Sequence, residues 1–234
     1  MSDARLAEPQ VDVLHPVGGE STVTSVALVL HGGRERSHVG VKPGNLAVRR
    51  MRPVARELSR TGTGAGLAVW SLRHRVRGWN GDEQSPVADA TWALNEIARR
   101  HGDVPVALVG HSMGGRTAVH VGGAPNVIAL CLLAPWLPRG EPYEQVAGRS
   151  VLVVHGRLDT TTSPKASLAW AKEASTVSDR VWRVDVRRER HAMLWRAGLW
   201  HRLATDYTVA ALGLAPMPPL LSAAAPEDRL EIVV

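Results

Sequence analysis

From Val23 onward, short apolar runs rich in β-branched residues alternate with amphipathic stretches, the pattern of βαβ units wound around a parallel sheet. Strand-like runs occupy residues 26–32 (VALVLHG), 66–72 (GLAVWSL), 104–112 (VPVALVGHS), 127–133 (VIALCLL), 150–156 (SVLVVHG) and 180–186 (RVWRVDV). Most are apolar almost without interruption, as expected of strands covered on both faces. Residues 11–15 (VDVLH) predict an edge strand ahead of them. Between the strands, Leu46, Met51, Val54, Ala55 and Leu58 recur at helical spacing, with Pro53 expected to start a new helix or kink this one. Ala88, Trp92, Leu94, Ile97 and Ala98 mark a second helix, residues 116–121 a third, 165–174 a fourth and 193–212 a long last one. The pattern predicts an α/β protein with a three-layer α/β/α sandwich and a mostly parallel sheet.

Length and composition narrow this. At 234 residues, 44% hydrophobic and 21% charged, the chain is an ordinary globular sequence. It is expected to be one domain over residues 1–234, with a core at about 11–213 and a proline-rich, non-helical extension at 214–234. Only about fourteen residues, 136–149, separate the run at 127–133 from the one at 150–156, too few for a helical cap domain. The first ten residues lack the apolar core of a signal peptide and no run is long enough to span a bilayer, so a cytoplasmic protein without membrane partners is expected. The single cysteine, Cys131, lies in an apolar run and reads as a small buried hydrophobe.

The formal charge of +6 raises the question of an acidic macromolecular partner. Its distribution argues against one. Basic residues are scattered, arginine far outnumbers lysine, and no basic run is interleaved with aromatics, so nucleic-acid binding is not expected. Nor does the sequence carry an HExxH pair, a cysteine cluster or a dinucleotide fingerprint, and no metal or cofactor is expected.

Chemistry enters at Gly110-His111-Ser112-Met113-Gly114, which fits G-x-S-x-G between a buried strand and a helix. A serine hydroxyl is a weak nucleophile at neutral pH and needs a base within hydrogen-bond reach, oriented by an acid. Asp159, in the loop after residues 150–156, and His191, after residues 180–186, supply both in the required order at later strand ends. Asp185 and Asp206 lie inside elements, Asp179 sits at the wrong end of its strand, and Glu189 is too near His191 to orient it. For a developing oxyanion, Met113 offers a backbone N–H at a helix start, and Gly33 a second after the early strand, with Arg34 as the alternative. Arg34, Trp136 and Leu194 are candidates for the substrate pocket, with Arg73, Arg75 and Trp79 nearby.

These motifs, HGG after an early strand, GHSMGG at the turn, HGRLD after a later strand and a histidine before the last helix, resemble the α/β-hydrolase fold superfamily over about residues 11–213. Within it the chain is similar to small lid-less carboxylesterases, thioesterases and dienelactone-hydrolase-like members. The resemblance implies an eight-stranded, mostly parallel sheet without a cap domain, and Ser112, His191 and Asp159 as a triad with Gly33 and Met113 as the oxyanion hole. It implies hydrolysis of a small-molecule ester or related acyl bond through an acyl-enzyme. Thioester, lactone and acyl-transfer chemistry are alternatives from the same triad, and a catalytically silent binding module is a further one. Two departures stand out: dienelactone hydrolases proper use a cysteine where this chain has Ser112, and the loop after Gly33 is longer and more basic than an oxyanion loop requires.

Overall fold

The computed structural model describes residues 8–234. Its centre is an eight-stranded sheet in the order β1-β3-β2-β4-β5-β6-β7-β8. The strands are β1 (Gln10–Leu14), β2 (Ser25–Leu30), β3 (Leu67–Arg73), β4 (Val106–His111), β5 (Val127–Leu133), β6 (Ser150–Gly156), β7 (Val181–Val186) and β8 (Ile232–Val233). Only β1 runs antiparallel to its neighbour; every other pair is parallel. This matches the expected mostly parallel sheet.

Side-chain alternation along the strands builds the layers. Val26, Leu28 and Leu30 of β2 face one way, with Leu108 and Leu130, against Ile97 of α2 (Ser85–His101), Val119 of α3 (Met113–Val121) and Trp170 of α4 (Pro164–Ala174). Ala27 and Val29 face the other way, against Val54 and Leu58 of α1 (Leu46–Gly62) and Trp200 and Tyr207 of α5 (Ala197–Ala211). The expected three-layer sandwich is therefore present. Between β5 and β6 there is only a one-turn 3-10 helix, Glu144–Val146, and no cap domain.

Three expectations are corrected. No new helix starts at Pro53, which lies inside α1, and Leu46, the first of the residues at helical spacing, is 80% exposed. The last helix begins at Ala197 rather than residue 193, because Met193 has φ 54, a left-handed conformation incompatible with a continuing helix. The tail is not merely an extension: it forms α6 (Pro219–Ser222) and then β8, which pairs with β7. Leu221 is buried in the core, and the Trp182 indole N–H donates to its carbonyl at 3.0 Å. Among the described residues, no helix is long and apolar enough to cross a membrane.

In this topology β2 has β3 on one side and β4 on the other, so the chain changes direction across the sheet beside β2. Ligand sites in open α/β sheets form at the carboxyl ends of strands at such a point.

Candidate active site

Strand β4 ends there and hands the chain to α3 through Ser112. Ser112 has φ 55 and ψ −117, a strained conformation that costs on the order of 1–3 kcal/mol and must be held by its surroundings. The glycines make it possible. A Cβ at Gly110 would lie 2.3 Å from the Gly114 carbonyl oxygen, and one at Gly114 would lie 2.3 Å from that of Leu30. The Ser112 N–H donates to Leu133 O at 3.0 Å, and its carbonyl accepts from Gly115 and Trp136 N–H at 3.0 and 3.1 Å. The turn is thereby tied to β5 and to the β5–β6 connection.

Ser112 Oγ stands 3.0 Å from His191 Nε2, and His191 Nδ1 stands 2.8 Å from Asp159 Oδ2. A carboxylate can only accept, so Nδ1 carries the proton and Nε2 is left to accept from the serine. The structure thus brings the three predicted residues into one hydrogen-bonded line.

Asp159 accepts at both oxygens. Oδ1 takes the N–H groups of Thr161 and Thr162 at 2.8 and 3.0 Å. Oδ2 takes, besides His191, the Thr162 hydroxyl at 2.8 Å and His155 Nε2 at 3.1 Å. Burial favours the neutral acid, but hydrogen bonds from His155, His191 and Thr162 outweigh it and hold the carboxyl far below the usual carboxylate range. His155 is fully buried, and burial lowers its pKa despite the adjoining Asp159. The neutral ring therefore donates from Nε2 to Asp159 and accepts at Nδ1 from Ser167 Oγ, 2.8 Å away.

The loop carrying His191 is fixed from three sides. His111 Nε2 donates to the His191 carbonyl at 3.1 Å, and burial pushes the His111 pKa down to about 3, so the ring is neutral. Arg50 on α1 donates to the carbonyls of Ala192, at 2.5 Å, and Met193. Glu189, fully buried, accepts from the N–H groups of Arg190 and Arg196 at 2.9 and 2.7 Å. Glu189 therefore holds the loop rather than orienting the imidazole. His155, Thr162, Glu189 and Arg50 carry no motif that marks them as supports. Only the HGRLD spacing, which returns the chain toward the strand end after four residues, hinted at His155.

Gly33 and Met113 lie against each other: a Cβ at Gly33 would meet the Met113 Sδ at 2.5 Å and the Arg77 carbonyl oxygen at 2.4 Å. Neither backbone N–H has an acceptor among the described residues, whereas Arg34 N–H already donates to Arg77 O at 2.8 Å. Of the two residues considered after β2, only Gly33 keeps a free donor, and Met113 adds the positive end of α3.

Two cavities flank this centre. One, of about 460 Å³, is walled by Leu46, Ala47, Pro53, Ala192 and Leu194 and reaches His111 and His191. The other, of about 310 Å³, lies against Gly33 and is lined by Arg34, Val41, Leu46, Ala47 and Arg77. Leu194 and Arg34 thus fall in different cavities, and Trp136 in neither. Trp136 packs with Trp79 around the Arg116 guanidinium, which lies 3.9 Å from the Trp79 ring and 4.4 Å from the Trp136 ring. Among the described residues, no group of three or more His, Cys, Asp or Glu side chains is placed to hold a metal ion.

Comparison with known proteins sets this site in context. An α/β serine hydrolase homologue from Coxiella burnetii aligns over 84% of this chain and 90% of its own at 18% identity and a TM-score of 0.62. The apo form of Thermogutta terrifontis esterase 2 aligns over 92% and 94% at 16% identity and a TM-score of 0.65. A lid-less α/β serine hydrolase from Xanthomonas campestris aligns over 90% and 89% at 19% identity and a TM-score of 0.57. No curated protein sequence matches the chain. The family model Hydrolase_4, serine aminopeptidase S33, matches residues 63–210, a span that holds Ser112, Asp159 and His191 and stops short of Gly33. Since that match extends over more than half of its length, the chain belongs to the serine aminopeptidase S33 family of α/β serine hydrolases.

Proposed function

We propose that the protein is an esterase that cleaves a small carboxylic ester through Ser112, His191 and Asp159. The observation that carries this reading is the unbroken line from Ser112 Oγ to His191 to Asp159, at 3.0 and 2.8 Å. His191 takes the Ser112 proton as the hydroxyl oxygen attacks the carbonyl carbon, and Asp159 stabilises the imidazolium. The oxyanion is received by the N–H groups of Gly33 and Met113. His191 then protonates the leaving oxygen, and water releases the acyl group by the same steps in reverse roles.

On this reading the substrate divides between the two cavities. The leaving group receives its proton from His191, so it occupies the apolar cavity against the imidazole, with Leu194 on its wall. The acyl chain is left the cavity against Gly33, beside Arg34. Trp136 supports the turn through its N–H to Ser112 O. An aminopeptidase, as the family is described, must hold an ammonium group. Neither cavity has an aspartate or glutamate in its lining, while both have arginines, which favours the ester.

Thermogutta terrifontis esterase 2 is known phosphorylated by paraoxon, and the same chemistry supplies the test. A fluorophosphonate probe should label the protein at Ser112, and Ser112→Ala should remain folded, resist labelling and lose about 10³-fold or more in p-nitrophenyl butyrate turnover. Labelling elsewhere, or near-normal turnover by Ser112→Ala, removes Ser112 from the mechanism.

A further inference from the structure

The cavity against Gly33 has a charge pattern that ester cleavage alone does not require. Arg34 and Arg77 both line it, held side by side because Arg34 N–H donates to Arg77 O at 2.8 Å and Trp79 N–H donates to Arg34 O at 2.9 Å. Arg77 spends its Nε on the Gly40 carbonyl at 3.3 Å. Among the described residues its terminal nitrogens have no partner, and Arg34 makes no side-chain hydrogen bond or ion pair. Some well-covered arginines elsewhere are paired with carboxylates, Arg75 with Asp89, Arg116 with Glu141 and Arg183 with Asp185. At this cavity the remaining lining is His31, Gly32, Gly33, Val41, Asn45, Leu46 and Ala47, with no carboxylate. Burial pushes the His31 pKa down to about 3, and Nδ1 is engaged by the Gly32 carbonyl, so His31 adds no charge.

Two guanidiniums without counter-ions, beside apolar walls and a glycine N–H, constitute a receptor for an anion. Guanidinium presents paired donors that match a carboxylate. Resting on the esterase reading, we infer that the substrate is an ester whose acyl chain ends in a carboxylate, bound by Arg34 and Arg77 while its carbonyl lies at Gly33 and Met113. The longer basic loop after Gly33 has its role here: residues 34–40 and 75–78 bridge at Arg34–Gly78 and Gly40–Val76, which sets the two arginines on a stiff frame. A half-ester of a dicarboxylic acid enters, its neutral alcohol leaves on the His191 side, and the dicarboxylate is released by water.

The test compares p-nitrophenyl half-esters from succinate to adipate with uncharged esters of equal carbon number and with a 6-trimethylammoniohexanoate ester, spontaneous hydrolysis being subtracted. At one chain length at least, kcat/KM for the half-ester should exceed that of its neutral partner by about tenfold or more, the usual gain from a charge-assisted contact. The cationic ester should be poorest, and the advantage should shrink as salt is raised. Arg34→Gln and Arg77→Gln should each reduce the charged-to-neutral ratio, with Arg77→Lys intermediate because it keeps the charge without the fork. Arg34 is exposed and supports nothing, so its variant folds even if Arg77→Gln does not. A ratio near one at every length, with neutral esters still turned over and Ser112 still labelled, overturns the anion site and leaves the esterase reading standing. Absence of all turnover and labelling overturns the esterase reading, and the inference with it.

Discussion

Asp159 is the residue on which most of the site converges, and His155 is its least conspicuous support. In the proposed mechanism Asp159 must stay ionised and still while His191 gains and loses a proton. His155 supplies a hydrogen bond to the same oxygen that holds His191, from a ring locked on its far side by Ser167. Such outer partners are commonly worth about 10–100-fold in activity. His155→Leu removes the donor while filling the space, and should lower kcat by about tenfold with little change in KM. His155→Gln, which can present an N–H to Asp159, should recover most of the loss. Equal damage from both variants would assign His155 to packing instead. At this scale the sequence was informative about residues that stand at strand ends in a fixed order, Ser112, Asp159 and His191. It was uninformative about His155, Thr162 and Glu189, whose importance arises from where loops fold back in space, and about which of Gly33 and Arg34 keeps a free N–H.

At the scale of elements, apolar runs announced six of the strands, because a buried parallel strand leaves few polar positions to blur it, and residues 11–15 announced the edge strand β1. The eighth was illegible for a physical reason. Strand β8 is only Ile232–Val233, behind a proline-rich approach, and two residues carry no periodicity to detect. The start of α5 was misplaced for a related one: the sequence after His191 is rich in helix-compatible residues, but Glu189 and Arg50 bind the loop backbone in another conformation. The tail nonetheless matters. Arg183 N–H donates to Arg229 O at 2.7 Å, Arg187 N–H to Val234 O at 2.8 Å, and Val234 N–H to Asp185 O at 3.0 Å. Truncation after Gly213 would remove these, uncover Trp182 and leave β7 an unprotected edge. With about 2 kcal/mol from Leu221 burial and about 1 kcal/mol from each hydrogen bond, the loss should reach at least about 4 kcal/mol in urea unfolding, with association detectable by light scattering. Unchanged stability and a monodisperse truncated chain would show that β8 is dispensable.

For the molecule as a whole, the net charge of +6 says little about the fold, but the buried histidines say when it should fail. His31 and His111 are 3% and 5% exposed, and burial lowers both from an ordinary 6.5 to about 3. His155 is shifted the same way. In the folded chain His31 and His111 stay neutral between pH 6.5 and about 3, whereas in the unfolded chain they protonate as pH drops below 6.5. The unfolded state then binds more protons, so stability rises with pH across that window and is lost as pH falls through it. Each fully engaged group contributes about 1.4 kcal/mol per pH unit, so His31 and His111 together approach about 3 kcal/mol per unit. Asp159 acts in the same direction only below about pH 3.8, where its unfolded form begins to protonate. Against a typical total of about 5–15 kcal/mol, this slope should unfold the protein within a few pH units of neutrality. Urea unfolding should therefore show a plateau above about pH 6.5 and a steep decline between pH 6 and 4. General repulsion among positive charges would produce a similar decline, but salt would relieve it, whereas the cost of protonating buried rings is insensitive to screening. The decline should persist in about 0.5 M sodium chloride. A flat profile from pH 7 to 4.5, or one that salt abolishes, would show that the neutrality of these histidines is not what limits stability in acid.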